Sequence, residues 1–341
     1  MAQEKRKRRK KRTKKRSAIS KVGLFFLILL LVLLVLGITV SAGWLWMNHS
    51  GQSRLSQKQE AVPELMQQAE SEAESEMILE AGSIRYHGKV YTYKKDILTF
   101  LFLGIDKEGE VKASSNLFKG GQADALFLAV LDPGEKKISV IGINRDTMAS
   151  MNVYDKNGRY SGRQTAQIAL SHAYGDGLEE SCENSLDAVS NLFYGLPIHG
   201  YCALNMPVVS KLNDAVGGVD VVIPESANGL EKGWTTGAEV HLKGDAAYRF
   251  IRYRDTAQEQ SAEARLERQK QYLKKFILQA KEAMKQDMTL PLQLYTQITP
   301  YMVTDVTADE AVYLAGQALS YSFGDDDFYS MTGTVLSLIH I

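Results

Sequence analysis

Twenty-one consecutive residues near the start of the chain, Val22 to Ala42, carry no charge and are rich in Leu, Val, Ile and Phe. At 1.5 Å per residue a helix of this length covers roughly 30 Å, the thickness of a bilayer's hydrocarbon core. Trp44 and Trp46 follow at the depth where indole rings settle, apolar on the ring and hydrogen-bonding at the N–H. The alternative is a cleaved signal peptide, but the span is long and no small-x-small cleavage site comes straight after it. The expectation is a transmembrane helix over residues 22–46.

The zero net charge of the 341 residues hides an asymmetry: residues 1–21 hold 12 Lys/Arg and one acid, Glu4, leaving the rest at −11. By the positive-inside rule the basic tail stays in the cytoplasm and everything after the span lies outside. The tail has no interleaved aromatics and abuts the span, so it reads as a topology signal that also attracts anionic lipid. No nucleic-acid partner is expected. The localisation that follows is the cell membrane, single-pass, with the body extracellular. Two cysteines, Cys182 and Cys202, fall in that body. Outside the cell a disulfide is permitted, and two buried thiols are the alternative.

Residues 47–83 are rich in Gln, Glu and Ser and read as a stalk, part helical, holding the folded part off the bilayer. From 84 to 335 the pattern alternates. GKVYTYKKD (Gly88 to Asp96) has strand periodicity. Further strands are expected at 97–104, 125–131, 137–143, 200–204 and 219–224, and helices at 165–174, 182–193, 206–216, 262–285 and 308–319. Such alternation argues for an α/β domain, a central mixed sheet flanked by helices on both faces. The last six residues, LSLIHI (336–341), can be spelled CTG TCT CTT ATA CAC ATC, a transposon end used in sequencing-library adapters. The expectation is that the true chain continues past Val335, which a homologous gene ending naturally in this hexapeptide would refute.

The chain has no Gly-x-Ser-x-Gly elbow, no His-Glu-x-x-His, no Walker loop and no Gly-x-Gly-x-x-Gly, and its six histidines lack ligand spacing. What it has is Asp and Arg at strand ends. Asp106 ends LFLGID, Asp124 opens the apolar run ADALFLAVL, and Arg145 and Asp146 end ISVIGINRD. Arg252 and Arg254 alternate in IRYRD, read as two positions on one side of a strand. Arg265 and Gln269 stand at i and i+4 on a helix, with Arg268 beside them and an apolar face (Leu266, Leu273, Phe276, Ile277) a quarter turn away. So many guanidiniums need a polyanion, and their forks match phosphate oxygens in pairs. Two carboxylates beside phosphates suit Mg²⁺, or Mn²⁺ in its place. Asp146 is read either as a base or as the partner of Arg145.

The ordered set LFLGID, GQADALFLAVLDP, ISVIGINRDT, LNDAVGGVDVVIP, YRFIRYRD and EARLERQKQYL resembles the LytR–CpsA–Psr family over roughly residues 96 to 285. The resemblance implies a membrane-anchored bacterial phosphotransferase whose α/β domain holds a polyprenyl chain in an apolar groove. It implies transfer of a glycopolymer, such as wall teichoic acid, from a polyprenyl-pyrophosphate carrier to peptidoglycan. It casts Asp106 and Asp124 as metal-associated, Arg145, Arg252, Arg254 and Arg265 as catalytic, and Gln269 and Arg268 as pyrophosphate contacts. Two departures stand out. Gln122-Ala123-Asp124-Ala125 replaces the family's Arg-Ser-Asp-Thr, and Asn144 replaces the proline before Arg145. The competing readings are a polyprenyl-pyrophosphate hydrolase, a non-catalytic glycopolymer-binding anchor, and a transcription attenuator, for which only about 21 residues would lie inside the cell.

Overall fold

The computed structural model describes residues 21–60, 82–114, 119–155, 157–254 and 261–331; within its first helix the side chains of residues 21–38, 40 and 60 are not among those described. The elements in order are α1 (Lys21–Glu60), β1 (Ser83–Tyr86), β2 (Lys89–Thr92), β3 (Leu98–Ile105), β4 (Ala123–Asp132), β5 (Lys137–Ile143), β6 (Met148–Tyr154) and β7 (Tyr160–Gln167). Then come α2 (Glu179–Leu192), β8 (Gly200–Asn205), α3 (Val208–Ala215), β9 (Val219–Val222), β10 (Glu239–Leu242), α4 (Asp245–Arg252) and α5 (Ser261–Gln286). The last are α6 (Leu290–Ile298), β11 (Met302–Thr304), α7 (Ala308–Ser320) and β12 (Phe328–Ser330).

The chain divides into two compact units, residues 1–46 and 47–341. Most of the expected span falls on side chains outside the described ones; among the described residues no helix is long and apolar enough to cross a membrane. In the first unit Trp46 is 69% exposed. The basic tail before Lys21 and the terminal hexapeptide lie outside the described residues.

The second unit is built on a six-stranded sheet in the order β11-β8-β3-β4-β5-β12. The sheet is mixed: β3 runs antiparallel to β4 and parallel to β8, and β12 runs parallel to β5. This is the mixed α/β architecture expected. Alternation along β3 sends Leu101, Leu103 and Ile105 to one face, where they pack with Met151, Ile168, Cys182 and Val189 from the β6–β7 hairpin and α2. Leu98 and Phe100 go to the other face, under Leu273 and Ile277 of α5 and Tyr313 and Leu314 of α7. Each face buries apolar surface worth about 25 cal/mol per Å², which is why the sheet needs helices on both sides.

Three expectations are corrected. Residues 47–60 are not a free stalk: the last turns of α1 pack on the second unit. Leu55 is 1% exposed within the cluster of Leu98, Leu131 and Tyr321. Arg54 Nε lies 3.3 Å from Asp309 Oδ2, and Lys58 Nζ lies 3.4 Å from Glu310 Oε1. In the polar last turns of α1, Leu55 supplies the buried apolar contact. The helix expected at 165–174 is instead the end of β7 and two short 3₁₀ turns. There, pairing with β6 from Met148↔Gln167 onward overrides local propensity. Finally, Arg252 and Arg254 do not share a strand. Ala247 and Phe250, both fully buried, give DAAYRFIR a helical period, so Arg252 ends α4 and Arg254 follows it.

The cysteines do not form a disulfide. Cys182 packs with α2 on one face of the sheet, while Cys202 of β8 packs on the other with Leu204 and Tyr295. Burial pushes the Cys202 thiol up to about 12.

Leu55→Ala should lower the unfolding free energy by about 2–4 kcal/mol, read from urea titration, because a buried leucine leaves a cavity. His172 and His199, 1% and 7% exposed, are held at about 4 by burial. The His199 Nδ1 accepts the Thr99 N–H at 3.0 Å, a bond that needs the neutral ring. Unfolded histidine titrates near 6.5, so as pH falls the unfolded chain takes up protons first and stability is lost between about 6.5 and 4. Urea midpoints at the two ends of that window should differ less in His199→Asn than in the parent protein.

Candidate active site

The C-terminal ends of β3, β5 and β8 and the N-terminal end of β4 meet at one edge of the sheet, since Ile105 pairs with Ala123 and with Asn205. That edge is where Asp106, Asp124, Arg145 and Asp146 fall. The register explains how Asp124 gets there. Gly104 pairs with Ala125 and Ile105 with Ala123, leaving Asp124 as the extra residue of a β-bulge. A bulged residue is freed from the ladder, and its side chain can be re-aimed.

Asp124 is the hub. Its Oδ1 accepts Arg145 Nη1, and its Oδ2 lies 3.1 Å from Arg265 Nη1 of α5. Arg145 Nη2 donates to Gln122 Oε1 at 2.5 Å, and Arg145 Nε stands 3.5 Å from Asp146 Oδ1. Asp146 is also 3.9 Å from Arg254 Nη2 and accepts Gln167 Nε2 at 3.4 Å, so it serves as a partner for arginines. Asn144 does the work of a turn-setting proline in another way. Its Oδ1 accepts the Asp146 N–H at 3.0 Å, an Asx turn that sets the direction in which Arg145 leaves β5.

Two tiers of cation result. Arg265 is 5% exposed and locked on Asp124. Burial pulls it below its ordinary value; repulsion from Arg145 and Arg254 acts the same way, while Asp124 opposes both. Arg252 and Arg254 are looser. Arg252, 49% exposed, reaches Asp106 at 3.6 Å and lies over the Tyr248 ring at 5.4 Å. The Tyr248 hydroxyl donates to Glu108 at 3.0 Å, and burial pushes it up to about 12, so it stays neutral. Four guanidiniums thus surround three carboxylates, an excess of positive charge that an anion would relieve.

Arg268 and Gln269 stand beside Arg265 on α5, as expected, and their donors turn toward backbone oxygens. Arg268 is 2% exposed and spends its N–H groups on three carbonyls and a hydroxyl: Phe250 O at 2.9 Å, Tyr253 O, Ser226 O and Ser226 Oγ. Gln269 Nε2 donates to Ile251 O at 3.3 Å. Together they satisfy the orphan carbonyls at the end of α4, in the manner of a helix C-cap supplied from another helix. They hold the segment that presents Arg252 and Arg254. Sequence reasoning missed this because spacing places Arg268 on α5 without revealing what covers it.

An apolar strip leads into the charged edge. Phe102, at the centre of the sheet, is 42% exposed although both neighbouring strands are in place. Its cross-strand partners Phe127 and Cys202 belong to separate clusters, one under α5 and one under α3 and α6. The helices part above Phe102. Gly104 continues the strip, and Asp106 follows about 13 Å from Phe102 at strand rise.

Of the two carboxylates expected to hold a hard cation, Asp124 has both oxygens on arginines, and Asp106 is paired loosely with Arg252. Among the described residues no three His, Cys, Asp or Glu groups could hold a metal ion. Mg²⁺ fits here only on Asp106 with phosphate oxygens completing the shell, the usual manner for that ion.

Arg268→Ala should lower stability by more than about 2 kcal/mol, since it strands several buried carbonyls. Arg252→Ala should change it by less than about 0.5 kcal/mol. Urea unfolding of both variants separates the two roles.

The LytR_cpsA_psr family model matches residues 53–326. The polyisoprenyl-teichoic acid–peptidoglycan teichoic acid transferase TagU of Bacillus anthracis is 30% identical over 165 residues, 47% of this chain and 46% of that protein. The chain thus spans about half the length of that relative. TagU of Enterococcus faecalis is 25% identical over 65% of each chain. Among solved structures, B. subtilis TagV has a TM-score of 0.54 at 22% identity, covering 72% of this chain and 88% of that one. TagT bound to LI-WTA has a TM-score of 0.50 at 19% identity, over 70% and 78%. With a family match across most of its length, and the fold of these structures, the chain belongs to the LytR_cpsA_psr family.

Proposed function

We propose that this protein transfers a cell-envelope glycopolymer from a polyprenyl-pyrophosphate carrier to peptidoglycan, on the outer face of the membrane to which residues 22–46 anchor it. The observation that carries this reading is the apolar strip at Phe102 running into a cluster of four arginines. Only an amphiphile with a long apolar part and a compact polyanionic head uses both. A lipid-linked pyrophosphate is such a molecule, and the TagU relatives are named for a polyisoprenyl-linked teichoic acid.

In this reading the polyprenyl chain lies on the strip and the pyrophosphate meets the guanidiniums. Arg252 and Arg254, held loosely, turn from Asp106 and Asp146 to the phosphate oxygens. Arg145 and Arg265 stay on Asp124 as a fixed positive wall. A sugar hydroxyl of peptidoglycan attacks the sugar-linked phosphorus, that phosphorus–oxygen bond to the second phosphate breaks, and polyprenyl phosphate leaves. Charge gathers on the departing phosphate, and pre-aimed donors stabilise it without reorganising. A Mg²⁺ ion held by Asp106 and phosphate oxygens would add further positive charge there, and Asp124 would join it only by releasing one of its arginines. The proton of the attacking hydroxyl passes to the departing polyprenyl phosphate, because Asp146 is engaged by arginines.

The test uses the full chain in detergent or vesicles, with a synthetic polyprenyl-pyrophosphate oligosaccharide and peptidoglycan fragments. The expected product is a phosphodiester-linked glycan, formed only with the acceptor. Arg252→Ala should reduce the rate roughly a hundredfold or more. Pyrophosphate cleavage at equal rate without acceptor would instead establish a hydrolase, and binding without turnover a glycopolymer anchor.

A further inference from the structure

Gln122 lies two residues before the bulged Asp124, and its contacts reach beyond its own strand end. Gly121 presents it from a rigid turn. Its φ is +91°, and a Cβ there would come within 2.7 Å of Ile105 Cγ2. The Gly121 carbonyl is pinned by His172 Nδ1 at 3.0 Å. From this turn Gln122 reaches both halves of the site. Its backbone oxygen accepts the Asp106 N–H at 3.0 Å, and its side-chain oxygen accepts Arg145 Nη2 at 2.5 Å.

We infer that Gln122 is a positioning residue that sets the direction of the Arg145 guanidinium and lowers the charge the site offers its anionic ligand; the ligand itself rests on the reading above. Three acceptors follow the rim of that guanidinium: Gln122 Oε1 on Nη2, Asp124 Oδ1 on Nη1, and Asp146 Oδ1 near Nε. The Nε–H is buried and makes no hydrogen bond of its own, so the two terminal nitrogens carry the orientation. One N–H on each remains for a ligand. An arginine at 122 has donors only and could not accept from Arg145. It would repel Arg145 and raise the site to five guanidiniums. The carboxamide turns a would-be ligand cation into a clamp on a neighbouring one, and the expected result is a weaker, less salt-sensitive grip on pyrophosphate.

Two measurements test this on the full chain in detergent. Titration calorimetry with geranyl pyrophosphate and MgCl₂ compares Gln122→Met, which keeps the length and loses the acceptor, with Gln122→Glu, which keeps an acceptor, and with Gln122→Arg. Gln122→Met should weaken binding about tenfold, the loss expected for one charged hydrogen bond. Gln122→Glu should keep the Arg145 orientation, read in the guanidinium signals below, while its added negative charge weakens pyrophosphate binding, and Gln122→Arg should steepen the salt dependence. In an Arg145→Ala background the Met substitution should change binding less than about twofold. The second readout needs no ligand: the ¹⁵N–¹H guanidinium signals of Arg145, resolved while rotation is restricted, should broaden and merge in Gln122→Met. If the parent protein shows the resolved signals and Gln122→Met merges them, yet neither binds the probe, Gln122's hold stands and the pyrophosphate reading falls. Unchanged Arg145 signals in Gln122→Met, or equal losses of binding with and without Arg145, would overturn the inference.

Discussion

Asp124 ties together three parts of the protein that the chain keeps far apart. It lies at the start of β4, Arg145 comes from the end of β5, and Arg265 from the first turns of α5. Both arginines are largely withdrawn from water, and one carboxylate does not neutralise them. Such a hub persists only where the surroundings prevent its members from separating. The β-bulge fixes Asp124, the Asx turn of Asn144 aims Arg145, and α5 is pinned by the apolar contacts of Leu273 and Ile277. The rest of the site is arranged around this bond: loose arginines stand outside it and ion pairs of longer reach lie between them.

The second support is the way α4 ends. A helix end exposes unpaired carbonyls, and here they are met by the side chains of Arg268 and Gln269 from α5. Arg268 is buried almost completely, and burial lowers it to about 10, which leaves it charged at neutral pH. Its charge is dispersed over carbonyl oxygens and not offered to a ligand. Two adjacent arginines on α5 therefore have different tasks. Arg265 faces the sheet edge, and Arg268 holds the chain that carries Arg252 and Arg254.

These two supports, with the open strip at Phe102, divide the site into an apolar part and a cationic part along one line. The strip exists because α5 and the α3–α6 pair cover different halves of the same sheet face. No single residue makes it. Packing the last turns of α1 through Leu55 against the same face, beside Leu98 and Leu131, completes the cover at the opposite end of the strands.

Much of this was legible in the linear chain. Continuous apolar runs located β3, β4 and β5, because a strand buried on both faces needs nothing but such a stretch, and the shorter run at 200–204 located β8. The amphipathic pattern over 262–285 located α5, which runs from Ser261 to Gln286. The residue types at the strand ends marked Asp106, Asp124, Arg145 and Asp146, since carboxylates and guanidiniums have no reason to close an apolar run unless something polar waits there. The short elements were not legible. The β6–β7 hairpin, β11 and β12 are strands only because a partner strand lies beside them. The alternation of Arg252 and Arg254 suggested a strand, and burial of Ala247 and Phe250 made a helix instead. Side-chain roles were decided by tertiary structure alone. Which arginine stays loosely paired, which caps a helix and which is held by Gln122 depends on neighbours 15 or more residues away. Sequence determines what chemistry a side chain can do; only the folded chain determines which partners are within the three ångströms where it is done.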